Sequence, residues 1–192
     1  MRGIWLFLVL PITMILVNAA AEPNTSTATQ NKRESYDAVV VGTGGAIGGR
    51  TVNLNIYIDR YTSDQEVQQY LVLLKEKGQD ALRKELEKVS VGRVAPTAST
   101  GTDLSIARVF QTDEGKVIRL VTPRPVGFLE AYRHGRSMDY PFTIMELRLN
   151  QEGKGEGSIM GGAQVKFNEN GQLDITSYGN QYAKLVNVRT WD

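Results

Sequence analysis

The chain changes its hydrophobic period several times, and each change marks an element. Over Thr51–Arg60, Val52, Leu54, Ile56 and Ile58 alternate with Thr51, Asn53, Asn55, Tyr57 and Asp59. Successive side chains of a strand point to opposite faces, so this pattern predicts a half-buried β-strand. The period then becomes helical. Ser63-Asp64-Gln65-Glu66 is a capping box, able to satisfy backbone N–H groups left unpaired at a helix start. Val67, Tyr70, Leu71 and Leu74 follow at helical spacing, with Lys75 and Lys77 where cations suit a helix end and Gly78 as a left-handed terminator. A second helix is predicted from Gln79-Asp80, with Leu82, Leu86 and Val89 as its stripe. Helices this short need a partner. The apolar face of the Thr51–Arg60 strand is the expected one.

Beyond Val89 the period returns to two. Strands are predicted near Ser90–Val94, Leu104–Phe110, Lys116–Thr122, Phe142–Leu149, Gly155–Phe167, Leu173–Ile175 and Leu185–Val188, after an earlier one around Val39. Phe142–Leu149 carries apolar residues on both faces, so both are expected to be covered. Thr112–Gly115, Asn150–Gly153 and Asn168–Gly171 are polar stretches ending in glycine, the chemistry of a tight hairpin. Gly161-Gly162 predicts a bulge that bends its strand. The fold expected is therefore α+β: a curled antiparallel sheet, a barrel- or sandwich-like meander, with an inserted helix pair packed on it.

The start of the chain adds a destination. Arg2, the apolar run Ile4–Val17 and Asn18-Ala19-Ala20-Ala21 have the three parts of a secretory signal peptide. Residues 1–21 are read as that signal, with an uncleaved membrane anchor as the other reading, 22–35 as a flexible polar tether and 36–192 as one domain, secreted or periplasmic. With 0 cysteines the domain has no disulfide to lean on. Losing the signal takes one basic residue, Arg2, from the 22 and balances the rest against 21 acidic residues. A neutral chain is not expected to bind nucleic acid, nor a membrane surface once the signal is gone.

Two stretches invite sharper chemistry. Gly42-Thr43-Gly44-Gly45 follows an apolar strand, as in a dinucleotide-binding fingerprint, but Ile47 stands where the third glycine belongs. A strand pattern, not a helix, comes next. It is therefore read as a strand connection, and no cofactor or metal is expected. The other is the long connection Pro123–Pro141, where loops carry function more often than strands do. Arg124, Arg133 and Arg136 could clamp an anion, with Tyr132 and Tyr140 lining a pocket; the other reading is a solvated basic loop pinned to the sheet by its aromatics. No catalytic residue is assigned. A hydrolase using Glu130, His134 and Asp139 stands as the alternative to a non-enzymatic domain that binds a small or apolar ligand or a protein.

Residues 50–82, 118–157 and 178–192, which include Asn53-Leu54-Asn55-Ile56-Tyr57 and Val188-Arg189-Thr190-Trp191, resemble a family of small exported bacterial hypothetical proteins with no assigned function. The resemblance covers most of the chain after Gly49. It implies a bacterial, exported protein and supplies no activity, ligand or site residue. Oligomeric state is left open.

Overall fold

A computed structural model describes residues 33–43, 48–126, 139–177 and 182–191. The signal segment, most of the tether, and 127–138 of the long connection lie outside these. The elements are β1 (Glu34–Gly42), β2 (Thr51–Ile58), α1 (Asp64–Leu86), β3 (Gly92–Pro96), β4 (Thr102–Leu104), β5 (Ile106–Thr112), β6 (Gly115–Thr122), β7 (Phe142–Asn150), β8 (Lys154–Phe167), β9 (Leu173–Ser177) and β10 (Tyr182–Thr190). β1 thus begins two residues before the expected start of the domain, and Glu34 and Ser35 are strand residues rather than tether.

The sheet is antiparallel, in the order β4-β3-β2-β1-β10-β8-β7-β6-β5, with β9 added to β8. Its two ends are consecutive in sequence: β4 runs into β5 through a bend at Ser105. There the Ser105 N–H donates to the Val121 carbonyl at 2.9 Å, and its buried hydroxyl donates to the Leu86 carbonyl at 2.6 Å. The sheet nearly closes into a barrel at this point. The hairpin chemistry is as expected at two of the three turns; at the third, Gly115 is the first residue of β6, at φ 147, and pairs with Thr112. Gly153 and Gly171, both at φ 73, close turns in which their N–H groups donate to the carbonyls of Asn150 and Asn168. Each asparagine side chain accepts two further backbone N–H groups beyond it. Gly162, at φ 73, is the extra residue of a bulge opposite Phe142 and Thr143.

The lumen is filled by one face of every barrel strand. Tyr36, Ile56, Ile118, Leu120, Met145 and Leu185 are all inaccessible to solvent there. Two expectations about the helices are corrected. There is one helix, not a pair: Gly78 (φ 77, ψ 179) kinks α1 without ending it. The turn resumes at once because Leu74 and, past the kink, Leu82 and Leu86 still reach the same apolar surface. Nor does the helix pack on Leu54, Ile56 and Ile58, which look into the lumen. Barrel closure gives that face to the facing strands. Leu74, Leu82 and Leu86 pack instead on the outside, with Phe142, Ile144, Val121 and Met160. Both faces of β7 are covered, as its composition predicted, only over its first half: past Ile144 the outer face opens, and Arg148 and Asn150 are exposed. The N-terminus carries the expected capping box, with the Ser63 N–H donating to Glu66 at 2.8 Å and the Glu66 N–H to the Ser63 hydroxyl at 3.2 Å.

Candidate functional site

With α1 covering the outside of β6, β7 and β8, the outer faces of β10, β1, β2, β3 and β4 remain open, and their register lays out two rows. The first runs Trp191, Ser35, Tyr57, Arg93, Asp103: the Trp191 N–H donates to the Ser35 carbonyl at 3.0 Å, and Ser35 pairs with Tyr57, Tyr57 with Arg93 and Arg93 with Asp103. The second runs Arg189, Asp37, Asn55, Ala95. These are the polar positions of the alternation whose apolar positions fill the lumen.

Two grooves occupy this face and share Asn55. One, of about 510 Å³, is floored by Asn55, Tyr57 and Arg93 and walled by Ala98, Ser99 and Thr100. The other, of about 640 Å³, is lined by Asp37, Asn53, Asn55, Thr97, Asn187 and Arg189. The charges are matched locally. Arg33 pairs with Asp59 at 2.6 Å, Arg189 with Asp37 at 3.4 Å and Arg93 with Asp103 at 4.0 Å. The rings of Tyr57 and Trp191 meet edge to face at 5.9 Å, and the Arg33 guanidinium stands 5.9 Å from the Tyr57 ring centre. Trp191 is 41% exposed despite its size.

The backbone is strained at this face. Among the described residues, two that are not glycine have positive φ: Ala98 at 63° and Asn187 at 53°. Each lines one of the grooves. Asn187 sits at a bulge where β10 slips register against both β1 and β8. Left-handed backbone is costly for an L-residue with a Cβ, less so for asparagine, and it collects where a site needs a particular shape.

A second cluster lies inside one end of the barrel. The Glu34 carboxylate accepts hydrogen bonds from Tyr36, from Tyr61 at 3.0 Å and from Lys116 at 2.8 Å, joining β1, the β2–α1 connection and β6. Burial acts to raise the Glu34 pKa, but the hydrogen bonds from Lys116, Tyr36 and Tyr61 outweigh it and hold the carboxyl below its usual range. Burial, then the bond to Glu34, pushes the Tyr36 phenol well above its ordinary value; burial and the Glu34 charge do the same to Tyr61. These shifts run away from neutrality, whereas acid–base catalysis needs groups moved towards it. The cluster ties the barrel end together.

Of the residues proposed from the long connection, Tyr132, Arg133 and Arg136 lie outside the described residues, as do Glu130 and His134. Arg124 exposes its side chain while its carbonyl accepts from buried Thr122 and, at 3.5 Å, from buried Thr143; Val126 beyond it enters the lumen core. Tyr140 is half-buried at the far end of the segment, and the Asp139 carbonyl accepts from Gln79 of α1 at 2.9 Å. Among the described residues no group of His, Cys, Asp and Glu side chains converges as a metal site, and no helix is long and apolar enough to cross a membrane. Fold and surface together define a small antiparallel barrel, with a filled lumen, one outer helix and an open, polar, aromatic-edged face. No family model matches the chain, and no curated protein or solved structure matches it.

Proposed function

We propose that the protein is an exported, non-enzymatic binding domain, secreted or periplasmic, that takes its ligand beside the sheet, across the outer face of β10, β1, β2, β3 and β4. One observation carries this reading: both left-handed non-glycine residues among the described residues line the two grooves of that face. The filled lumen supports it too, because an apolar ligand inside would have to displace Ile56, Leu120 and Met145. The outward row of Asn53, Asn55 and Asp37 also supports a partner met in water, since a lipid-facing barrel turns apolar residues outwards.

The test is amide chemical-shift mapping of a panel of small polar molecules on the isotopically labelled protein. Shifts confined to Asn53, Asn55, Tyr57, Asn187 and the Trp191 indole are expected. Shifts confined to the 123–141 connection, with turnover of an ester or glycoside substrate there, would favour the hydrolase alternative.

A further inference from the structure

We propose that the ligand of this face is a neutral oligosaccharide, lying across the strands with the exposed Trp191 indole as its stacking floor and Tyr57, which meets that ring edge to face, beside it in the groove. This choice of ligand class rests on the binding role proposed for the face. Four features select it.

The first is charge. Arg33, Arg93 and Arg189 are each met by an aspartate on the same face. A polyanion needs unmatched cations and a polycation needs unmatched carboxylates, so the pairing favours an uncharged chain. The second is hydrogen-bonding capacity. Among the described residues, the Asn53, Asn55 and Asn187 side chains make no hydrogen bond to protein, although they line the grooves. A carboxamide offers a donor and an acceptor side by side. Vicinal sugar hydroxyls present the same pair in return.

The third is the aromatic pair. A pyranose has a flat face of C–H groups, which an exposed indole or phenol ring can cover while its hydroxyls point sideways to polar neighbours. Tyr57 and Trp191 stand in one row with Asn55 and Asp37 in the next. The fourth is length. From β10 to β4 the row crosses five strands, a span of about 19 Å at the usual strand spacing, which suits a short chain of sugars better than a single ring. The left-handed turn at Ala98 raises one wall over this row, and the bulge at Asn187 aims an amide into the other groove.

The sequence supplies a reporter. The chain has 2 tryptophans, and the other is Trp5. In a Trp5→Phe chain, Trp191 emission reports on the proposed floor alone. Maltohexaose, cellohexaose and chitohexaose would each be titrated to millimolar concentration, beside glucose and a polyuronate. At least one neutral hexasaccharide is expected to shift or quench Trp191 emission saturably, more tightly than glucose and with little change on raising salt. Asn55→Ala should weaken that binding about tenfold or more, the loss expected of a central contact. Phe110→Ala, which removes an exposed ring on the outer face of β5 between Arg108 and Arg119, should leave it unchanged. Unchanged melting of both variants separates lost contact from lost fold.

Binding of the polyuronate alone, weakened by salt, would overturn the neutral-sugar proposal while keeping the face as the site. Silence from all three hexasaccharides, with polar molecules still mapping to Asn55 and Trp191, would do the same. Silence from both would remove the binding role along with it.

Discussion

Ala98→Gly tests the strain on which the groove assignment depends. At φ 63 the Ala98 Cβ crowds its own backbone, a strain of roughly 1–2 kcal/mol for an L-residue. Glycine removes that strain but gives the unfolded chain more freedom, which offsets about 0.4–1 kcal/mol. The net expectation is a gain of about 1 kcal/mol, or a rise of roughly 2–4 °C in melting temperature for a chain of this size. Gly171→Ala is the mirror experiment. Gly171 has φ 73 with nothing within 4 Å of a built Cβ, so the substitution introduces strain and no clash. It should destabilise by about 1 kcal/mol or more. Urea denaturation followed by circular dichroism gives both midpoints, and an unchanged slope shows that only stability has moved. A loss of stability in Ala98→Gly, alongside the expected loss in Gly171→Ala, would refute the strain at Ala98 and remove half the support for the groove. If the strain shapes the groove wall, Ala98→Gly should also weaken ligand binding while it stabilises the fold.

Two further outcomes follow from the packing and the titrating groups. Leu86→Ala should cost about 2–5 kcal/mol, because Leu86 is 1% exposed between α1 and the outer barrel face, whereas Leu71→Ala, at a half-buried position outside both core clusters, should cost about 1 kcal/mol or less; equal urea midpoints for the two variants would contradict the outside packing of α1. Raising pH should destabilise the protein from the alkaline side: Tyr36 has a raised folded pKa, so its contribution is complete below the ordinary phenol pKa of about 10 and falls by up to about 1.4 kcal/mol per pH unit above it, a limb that Tyr36→Phe should flatten in urea midpoints taken across that range. On the acid side the sign reverses. The Arg60 hydrogen bond foremost, helped by Ser63 against the opposing effect of burial, holds the Glu66 carboxyl down at about 2. Its stabilising effect is complete above the ordinary carboxylate range and fades as pH falls towards that value.

Local chemistry made much of this fold legible. Glycine and asparagine at the hairpins act through φ and short side-chain bonds, and the capping box closes within four residues, so Gly153, Gly171, Gly162 and Ser63–Glu66 take the forms their neighbours dictate. The alternation of β2 showed which of its faces is apolar. What covers that face was not legible, because period-2 patterning says a face is buried without saying against what. Closure at Ser105 turned it into a lumen wall and sent the helix to the other side, where Val121, Ile144 and Met160 await it. Gly78 has the right residue type for a helix end, yet a kinked helix keeps Leu74, Leu82 and Leu86 on one surface, and that packing outweighs the local signal.

The site divides the same way. The polar half of β2, Asn53, Asn55 and Tyr57, with Asp59 just beyond it, was visible as the other face of a strand, and Trp191 as one aromatic near the chain's end. Nothing in their separation in sequence brings them together. β10 returns to pair with β1 after eight intervening strands, and only that pairing puts Trp191 two strands from Tyr57 with Ser35 between them. The sequence by itself determined which residues face out, because side-chain alternation is a local property of an extended chain. The tertiary structure decided which of those outward residues became neighbours, because strand order is set by the long-range pairing that closes the sheet.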